Sequence, residues 1–249
     1  MEIKRRQFQG LINILSFNRH FYVYGLIALA FIIGSKVMFH WSDLLFWVII
    51  AGFIYGLLMP LIVSAYVYDF SGFYNFNWLR QMHFTNAKDS FILNINAGFD
   101  ETSFIIKSVL SESQLQVFDF YNAKQHTEPA IVRARKVSRV YPNTIQISSS
   151  VIPLNDQSVD HIFLLSAIHE IRRHEERVQF LKECHRVCKP TGTVIMVEHL
   201  RDLPNFIAFT IGFTHFFSKK TWEKSFKEAG FQSFKEQKFT AFMSVFECK

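Results

Sequence analysis

Two long apolar runs occupy the first part of the 249-residue chain. Residues 21–39 contain one charged side chain, that of Lys36, and residues 44–68 contain none. The runs are about 19 and 25 residues long, and a helix of that length can cross a bilayer core of about 30 Å. A helix without a polar face is unusual in a soluble protein. The pattern therefore predicts two membrane-spanning helices.

Residues 40–43 alone join the two runs, so we expect a tight hairpin with both ends on one face of the membrane. Basic residues precede the first run and are absent from the connection: Lys4, Arg5, Arg6 and Arg19. The positive-inside rule then predicts a multi-pass protein of the inner (cytoplasmic) membrane, with the rest of the chain in the cytoplasm. The alternative is a hydrophobic helical pair that caps a soluble domain or mediates dimerisation.

This pattern divides the chain into four parts: a basic N-terminus (1–20), the transmembrane hairpin (21–68), a linker (69–82) and a domain (83–249). The linker mixes polar residues with the aromatic residues Phe70, Phe73, Tyr74, Phe76 and Trp78. Such a mixture is typical of a membrane surface. Because regular alternation begins only near Phe91, we expect the domain to fold without residues 1–68.

Short apolar segments alternate with amphipathic ones in the domain. We predict strands at residues 91–96, 116–120, 144–148, 159–168 and 193–198, and helices at residues 101–110, 170–188 and 221–229. Another helix begins at Thr127 as N-cap, with Pro129 in its first turn. Gly230 ends the helix predicted at residues 221–229. The alternation predicts a doubly wound parallel α/β sheet. Residues 231–246 add two short strands.

Composition narrows the function without naming it. The formal charge is +6, but no Lys-rich or Arg-rich tract interleaved with aromatic residues indicates nucleic acid. Attraction to anionic lipid headgroups explains the balance more simply. Three cysteines, Cys184, Cys188 and Cys248, fit a reducing compartment. Two of them share a helix face but lack further ligands, so we expect core thiols and no metal site.

Two linked motifs carry a family resemblance. Residues 152–160 read IPLNDQSVD, and a later segment places Glu183, Arg186, Val187, Lys189, Pro190 and Gly192 before an apolar run. Together they resemble class I S-adenosylmethionine-dependent methyltransferases, with L-P-F-x-D-x-S-F-D before the fourth strand and E-x-x-R-V-L-K-P-G-G before the fifth. The resemblance covers about residues 90–249 and is closest to small-molecule, quinone and lipid methyltransferases. It implies a Rossmann-like sheet with an antiparallel edge and S-adenosylmethionine as cofactor.

The resemblance also implies cofactor-binding residues. The family pattern D-x-G-x-G-x-G after the first strand corresponds here to Asn94, Asn96 and Gly98, of which only the last keeps a glycine. Asparagine tolerates the left-handed conformation best after glycine. Asp119 ends the second strand, where the family binds the ribose hydroxyls, and Ser149 follows the third, near the adenine. Without the resemblance, the first turn is a plain loop and Asp119 a loop starter.

Acid–base candidates follow the fourth and fifth strands. His169 has a pKa suited to proton transfer near neutrality, and Glu198 with His199 forms a second candidate pair. Residues 203–217 are apolar and aromatic, which suits an acceptor pocket, insertion at a membrane surface, or a core helix over the sheet. We expect His215 to be a helix-end or core residue.

The sequence thus predicts a membrane-anchored S-adenosylmethionine-dependent methyltransferase acting on a lipophilic small molecule: a lipid, a quinone, or an aromatic or polyketide-type acceptor. The alternative is a non-catalytic membrane scaffold with a degenerate methyltransferase fold, supported by the missing glycines. The sequence does not decide whether the partner is a second copy of the chain, in a homo-oligomer, or a biosynthetic partner enzyme.

Overall fold

The computed structural model describes residues 5–81, 88–125 and 128–249. Its α-helices are α1 (Gln9–Phe17), α2 (Arg19–Phe39), α3 (Asp43–Ala65), α4 (Asn77–Gln81), α5 (Ser103–Val109), α6 (Pro129–Val137), α7 (His174–Val187), α8 (Leu203–Phe209) and α9 (Lys219–Ala229). Its strands are β1 (Phe91–Asn96), β2 (Gln114–Asp119), β3 (Ile145–Gln146), β4 (Val159–Leu165), β5 (Cys188–His199), β6 (Phe234–Lys238) and β7 (Met243–Cys248). A π-helical turn covers Tyr66–Phe70, and 3-10 turns cover Phe73–Asn75, Ile168–Glu170 and Thr210–His215.

The strands form one sheet of seven in the order β3-β2-β1-β4-β5-β7-β6. Strands β1 to β5 pair in parallel, and β7 runs antiparallel to both β5 and β6. The predicted parallel α/β sheet and the antiparallel pair in the tail are confirmed. The strand order reverses beside β1, which places the switch point between β1 and β4.

Both faces of the sheet are covered. Alternate residues of β4 point to opposite faces: Ile162 lies in a core with Leu181 and Trp222 of α7 and α9, whereas Phe163 lies in a second core with Ile106 of α5 and Ala208 of α8. A strand buried on both sides must be apolar throughout, which explains the continuous run in the sequence.

The two family-like motifs bind each other. Arg186 donates to the carbonyls of Ile152 and Leu154 and pairs with Asp156 at 2.6 Å and Glu183 at 2.7 Å. Farther along, Lys189 pairs with Asp160 at 2.8 Å, and a Cβ on Gly192 would lie 2.6 Å from the Asp160 carbonyl oxygen. These contacts join the starts of β4 and β5, so the motifs have a structural role.

Several boundaries differ from the prediction. The third strand is limited to Ile145–Gln146, and the helix predicted from residue 170 begins at His174 after a 3-10 turn. Pro129 begins α6 as predicted, whereas Thr127 lies outside the described residues. Gly230, with φ +100°, ends α9 in the left-handed conformation, as predicted.

The prediction of a membrane-surface linker at residues 69–82 is wrong for most of its aromatic side chains. Phe73, Phe76 and Trp78 are at most 3% exposed, and the Trp78 ring lies 6.3 Å from that of Phe163 in β4. This segment covers an apolar sheet face, and burial there removes more aromatic surface from water than an interface would. Phe70 alone among the predicted five is strongly exposed, at 63%.

The domain also extends into the hairpin. Val63 in α3 and Val67 in the π-helical turn are 4% and 0% exposed and belong to the second core. Removing residues 1–68 would take these side chains out of the core, which argues against the expectation that the domain folds without them. The predicted boundary at residue 83 lies outside the described residues.

The N-terminus is docked on the domain. The Asp69 carboxylate accepts from the backbone N–H groups of Gly10 and Leu11 at 2.8 and 2.9 Å, where the N-terminus of α1 favours a negative charge. Arg5 pairs with Glu101 at 2.6 Å in the loop after β1. Over its described residues, the predicted basic N-terminus thus contains helix α1, which contacts Asp69 after α3, and Arg5, which contacts the loop after β1.

Helices α2 and α3 are apolar and exposed. In their most hydrophobic 18-residue windows, 0% and 11% of the residues are buried within the chain. By length and composition both could cross a membrane, as could the core helix of a soluble protein. A core helix would, however, be buried. The two helices touch where Gly25 faces Leu57.

Candidate functional site

The strand ends at one edge of the sheet bring most candidate residues together. Asn96 at the end of β1 pairs in register with Asp119 at the end of β2. Ser166 follows β4, and His199 ends β5. Open parallel sheets bind ligands at this carboxyl edge, beside the switch point.

The loop after β1 is a tight turn. The Asn96 side-chain oxygen accepts from the backbone N–H of Gly98 at 2.9 Å, and Gly98 has φ +90°. Asp100 caps α5 by accepting from the N–H groups of Thr102 and Ser103, both at 2.9 Å. Burial raises the pKa of Asp100 above its usual value. Its second oxygen, Oδ2, is buried without a hydrogen-bond partner, so the loop has acceptor capacity left over.

Arg135 lies over this loop and on Asp119. Its guanidinium donates to the Asp119 carboxylate at 2.7 Å and stacks on the Tyr121 ring at 4.2 Å. A Cβ on Gly98 would lie 2.5 Å from Arg135 Nη1. The cavity that these residues line has a volume of about 50 Å³, well below the few hundred Å³ of typical small-molecule sites.

Two predicted cofactor-binding residues lie outside the wall of that cavity. Asn94 is 1% exposed and donates to Ser103 Oγ at 2.8 Å, which ties β1 to α5. Ser149 donates to Glu176 of α7 at 2.6 Å. Their proposed contacts with a cofactor stay predictions.

His169 and Glu198 form a buried ion pair. His169 Nδ1 lies 2.8 Å from Glu198 Oε2, and Glu198 is 1% exposed. Burial disfavours the charged imidazolium, but Glu198 and the nearby Glu170 outweigh burial and raise the pKa of His169 to about 10. This raised pKa favours the protonated form of His169 near neutrality, which suits hydrogen-bond donation. The proton-transfer role of His169 stays a prediction.

The His199 ring, in contrast to that of His169, is held in its neutral form. Its Nδ1 lies 2.9 Å from the Phe242 carbonyl oxygen and its Nε2 lies 2.9 Å from the Tyr68 hydroxyl. Because a carbonyl can only accept, Nδ1 carries the hydrogen and Nε2 accepts from Tyr68. Burial lowers the pKa of His199 to about 4. Both ring nitrogens of His199 have hydrogen-bond partners within the chain, which ties the end of β5 to Tyr68 and Phe242. The catalytic role of His199 stays a prediction.

Three further residues surround His169 and were not predicted as site residues. The rings of His169 and His215 lie 5.1 Å apart, and His215 Nδ1 lies 3.6 Å from Glu128 at the start of α6. Ligand atoms of His169, Glu170 and His215 lie within 4.8 Å of one another and could hold a metal ion. His215 and Glu128 lie far from His169 in sequence and form no motif with it, whereas Glu170 is the next residue along the chain.

Comparisons with known proteins agree with this geometry. Residues 117–196 match a family model described as a methyltransferase domain. Among solved structures, a SAM-dependent methyltransferase from Aquifex aeolicus shares 17% identity, covers 76% of this chain and 97% of its own, and has a TM-score of 0.51. The PH0226 protein from Pyrococcus horikoshii OT3 shares 16% identity over 69% and 87%, with a TM-score of 0.50. Curated proteins give no significant match.

The chain has the fold of a class I S-adenosylmethionine-dependent methyltransferase. The methyltransferase-domain match also assigns S-adenosylmethionine as the cofactor.

The residues of this methyltransferase fold suit that cofactor after one rearrangement. Asp119 ends β2 with a carboxylate at the cavity, Gly98 allows close approach to the backbone, and Asp100 Oδ2 and Ser166 Oγ are buried without partners. The Arg135 guanidinium occupies the space beside Asp119 and Gly98. Its side chain is 37% exposed, so it can move into solvent without disturbing the core.

Proposed function

We propose that this protein is a membrane-anchored S-adenosylmethionine-dependent methyltransferase that methylates a lipophilic small molecule, such as a lipid, a quinone, or an aromatic or polyketide-type compound. One observation carries the proposal: the exposed apolar hairpin runs directly into the carboxyl edge. Tyr68, in the turn that continues α3, hydrogen-bonds His199 at the end of β5. Because the hairpin contacts the site itself, it supports the proposal that the substrate is dissolved in the membrane.

The chemistry requires alignment more than acid–base catalysis. S-adenosylmethionine would supply a methyl group on a sulfonium: the acceptor atom would bond to the methyl carbon as the carbon–sulfur bond breaks, and the thioether S-adenosylhomocysteine would leave. Holding the acceptor in line and excluding water accounts for much of the acceleration. The protonated His169 ring is held between Glu198 at Nδ1 and Glu170, whose carboxylate lies 3.5 Å from Nε2. Its positive charge at this edge of the sheet can stabilise negative charge that develops on an acceptor oxygen.

The hairpin topology supports a cytoplasmic domain. Helix α1 precedes the first span and packs on α6 of the domain, where Phe17 accepts from Arg133. Both ends of the hairpin therefore lie on the domain's side, and the basic residues Arg5, Arg6 and Arg19 on that side agree with the positive-inside rule. The inner-membrane location is part of the proposal.

Isothermal titration of the detergent-purified protein with S-adenosylmethionine tests the enzymatic function. We expect saturable binding in the micromolar to submillimolar range that is lost in Asp119→Ala. An absence of binding at millimolar cofactor, with the protein shown to be folded by circular dichroism, would remove the enzymatic function.

A non-catalytic scaffold is the second candidate, and the Arg135–Asp119 ion pair favours it. This pair and the cavity of about 50 Å³ leave no room for a nucleoside as the side chains stand. Asp119→Ala combined with Gly98→Trp would block the cofactor site in either case. Cells that keep the protein's phenotype with this double variant would support the scaffold.

A further inference from the structure

An uncharged aromatic segment closes the carboxyl edge on the side of the hairpin. We call residues 203–216, which comprise α8 and the following 3-10 turn, the aromatic cover. Its inner side contacts the site: the rings of Phe209 and Phe216 lie 5.3 and 4.8 Å from His199, and His215 lies against His169.

The outer side of the aromatic cover is apolar and exposed. Leu203 is 68% exposed, Phe206 and Ile207 are each 49% exposed, and Ile211 is 82% exposed. Asn205 and Ala208, on the opposite side of α8, are fully buried. An exposed apolar strip on this scale indicates contact with a partner or with a membrane, and its position along the hairpin decides between the two.

The aromatic cover is attached part-way along the hairpin. The Tyr55 hydroxyl in α3 donates to the Ile207 carbonyl at 2.5 Å. Because Gly25 of α2 faces Leu57 of α3 and the helices are antiparallel, Tyr55 lies level with about residue 27 of α2. That level is about 9 Å beyond Phe21, the first residue of the apolar run, at 1.5 Å per residue. One leaflet's hydrocarbon is about 15 Å thick, so α8 lies at the depth of acyl chains.

The Tyr55 hydrogen bond fits that depth. Carbonyl groups in the last turn of a helix lack intrahelical partners, and in hydrocarbon no water is present to replace them. At the surface of a soluble protein the Ile207 carbonyl would need no such donor. A tyrosine from the spanning helix therefore satisfies a carbonyl that lipid cannot satisfy.

We propose that the aromatic cover is immersed in the acyl chains of the leaflet where the hairpin begins, and that a lipid-dissolved acceptor enters beside it to reach the His169–Glu198 pair. This inference rests on the proposed membrane anchor and adds a route for the substrate. The occupant of the exposed strip is lipid, because the strip is continuous with the spanning helices and residues 203–216 carry no Asp, Glu, Lys or Arg.

Fluorescent labels on the full-length protein in phosphatidylcholine–phosphatidylglycerol vesicles test the depth. A single cysteine is introduced by Ile211→Cys in the aromatic cover, by Phe31→Cys in α2, or by Lys224→Cys on exposed α9, whose core lies on the other sheet face. Each carries an environment-sensitive nitrobenzoxadiazole group. The native cysteines are buried, and labelling of the unmodified protein measures their background.

We expect the labels at residues 31 and 211 to emit at shorter wavelength and to be quenched several-fold more by acyl-chain nitroxides than the label at residue 224. Aqueous iodide should quench in the reverse order. A label at residue 211 that behaves like that at 224, with residue 31 still protected, would overturn the immersed cover and leave the anchor intact. Iodide access at residue 31 as well would overturn both.

Discussion

Two histidines at the same edge are held in opposite charge states by their immediate neighbours. Adjacent residues of a strand point to opposite faces, so Glu198 meets His169 on one face and His199 meets Tyr68 on the other. The carboxylate raises the pKa of His169 to about 10, whereas burial lowers that of His199 to about 4. A one-residue shift in the register of β5 would turn Glu198 away from His169 and His199 away from Tyr68, so the charge state of each histidine depends on the pairing of β5.

The ion pair predicts a pH dependence of stability. Because the folded pKa of His169 lies above 6.5, its protonated form contributes stability below pH 6.5, and that contribution is lost as the pH rises toward 10. Thermal unfolding in detergent should give a melting temperature that falls across this range. Glu198→Gln should flatten the fall, and Glu175→Gln, at an exposed position on α7, should not. Equal slopes in all three proteins would contradict the charged state of His169.

Arg135 and Asp119 predict opposite effects on cofactor affinity. Asp119→Ala removes the carboxylate that we predict to accept hydrogen bonds from the cofactor. Hydrogen bonds to a charged group contribute about 1.5–3 kcal/mol, so we expect affinity for the cofactor to fall at least tenfold. Arg135→Ala removes a competitor for that carboxylate. The Arg135 side chain is 37% exposed, and an ion pair with a solvent-exposed partner is worth about 1 kcal/mol. Affinity for the cofactor should therefore rise by up to about fivefold.

Isothermal titration measures both changes, with Lys136→Ala, one residue along α6, as the matched control. A tenfold loss in Arg135→Ala would mean that this arginine binds the cofactor, and the view of it as an obstacle would be abandoned.

At the scale of elements, the turn after α3 joins the hairpin to the sheet. It contributes Val67 to the second core and Tyr68 to His199, and its Asp69 caps α1. One short π-helical turn thus positions helix α3, helix α1 and the end of β5. Its dense contacts make it a rigid connection.

Matched substitutions in this turn test that rigidity. Val67→Ala removes two fully buried methyl groups, which typically costs about 1–3 kcal/mol with the cavity left behind. Phe70→Ala, three residues later, removes a ring that is 63% exposed and should cost little. Thermal unfolding in one detergent compares them. A larger loss of stability in Phe70→Ala than in Val67→Ala would contradict the view that Val67 holds this rigid connection.

Local sequence patterns predicted which helices and strands form, but not which segments pack over the sheet. Periodicity predicted β1 at its observed bounds and the end of α9 at Gly230, because both depend on neighbouring residues. The aromatic residues of the segment before β1 suit a lipid headgroup zone and a sheet face equally well, so Trp78 was misplaced. The pairing of Arg135 with Asp119 and the approach of His215 to His169 depend on tertiary packing, which no spacing in the sequence records.

At the scale of the whole molecule, the hairpin and the domain are one structure. Removing residues 1–68 deletes α1, Val63, Val67 and the Tyr68 contact with His199, so the truncated protein should lose cooperative unfolding or aggregate. Circular dichroism with size-exclusion chromatography measures this outcome. A truncated domain that stays monomeric and melts cooperatively would show that residues 1–68 are an independent anchor and not part of the folded domain.

Transfer of labelled methyl groups tests the central claim most directly. Membranes containing the full-length protein are incubated with S-[methyl-³H]adenosylmethionine and extracted with organic solvent, beside membranes with Asp119→Ala. If the protein methylates a lipophilic molecule, membranes with the unmodified protein should yield tritium in the organic phase, and membranes with Asp119→Ala should not. Equal tritium in both extracts, with both proteins present and folded, would contradict the account.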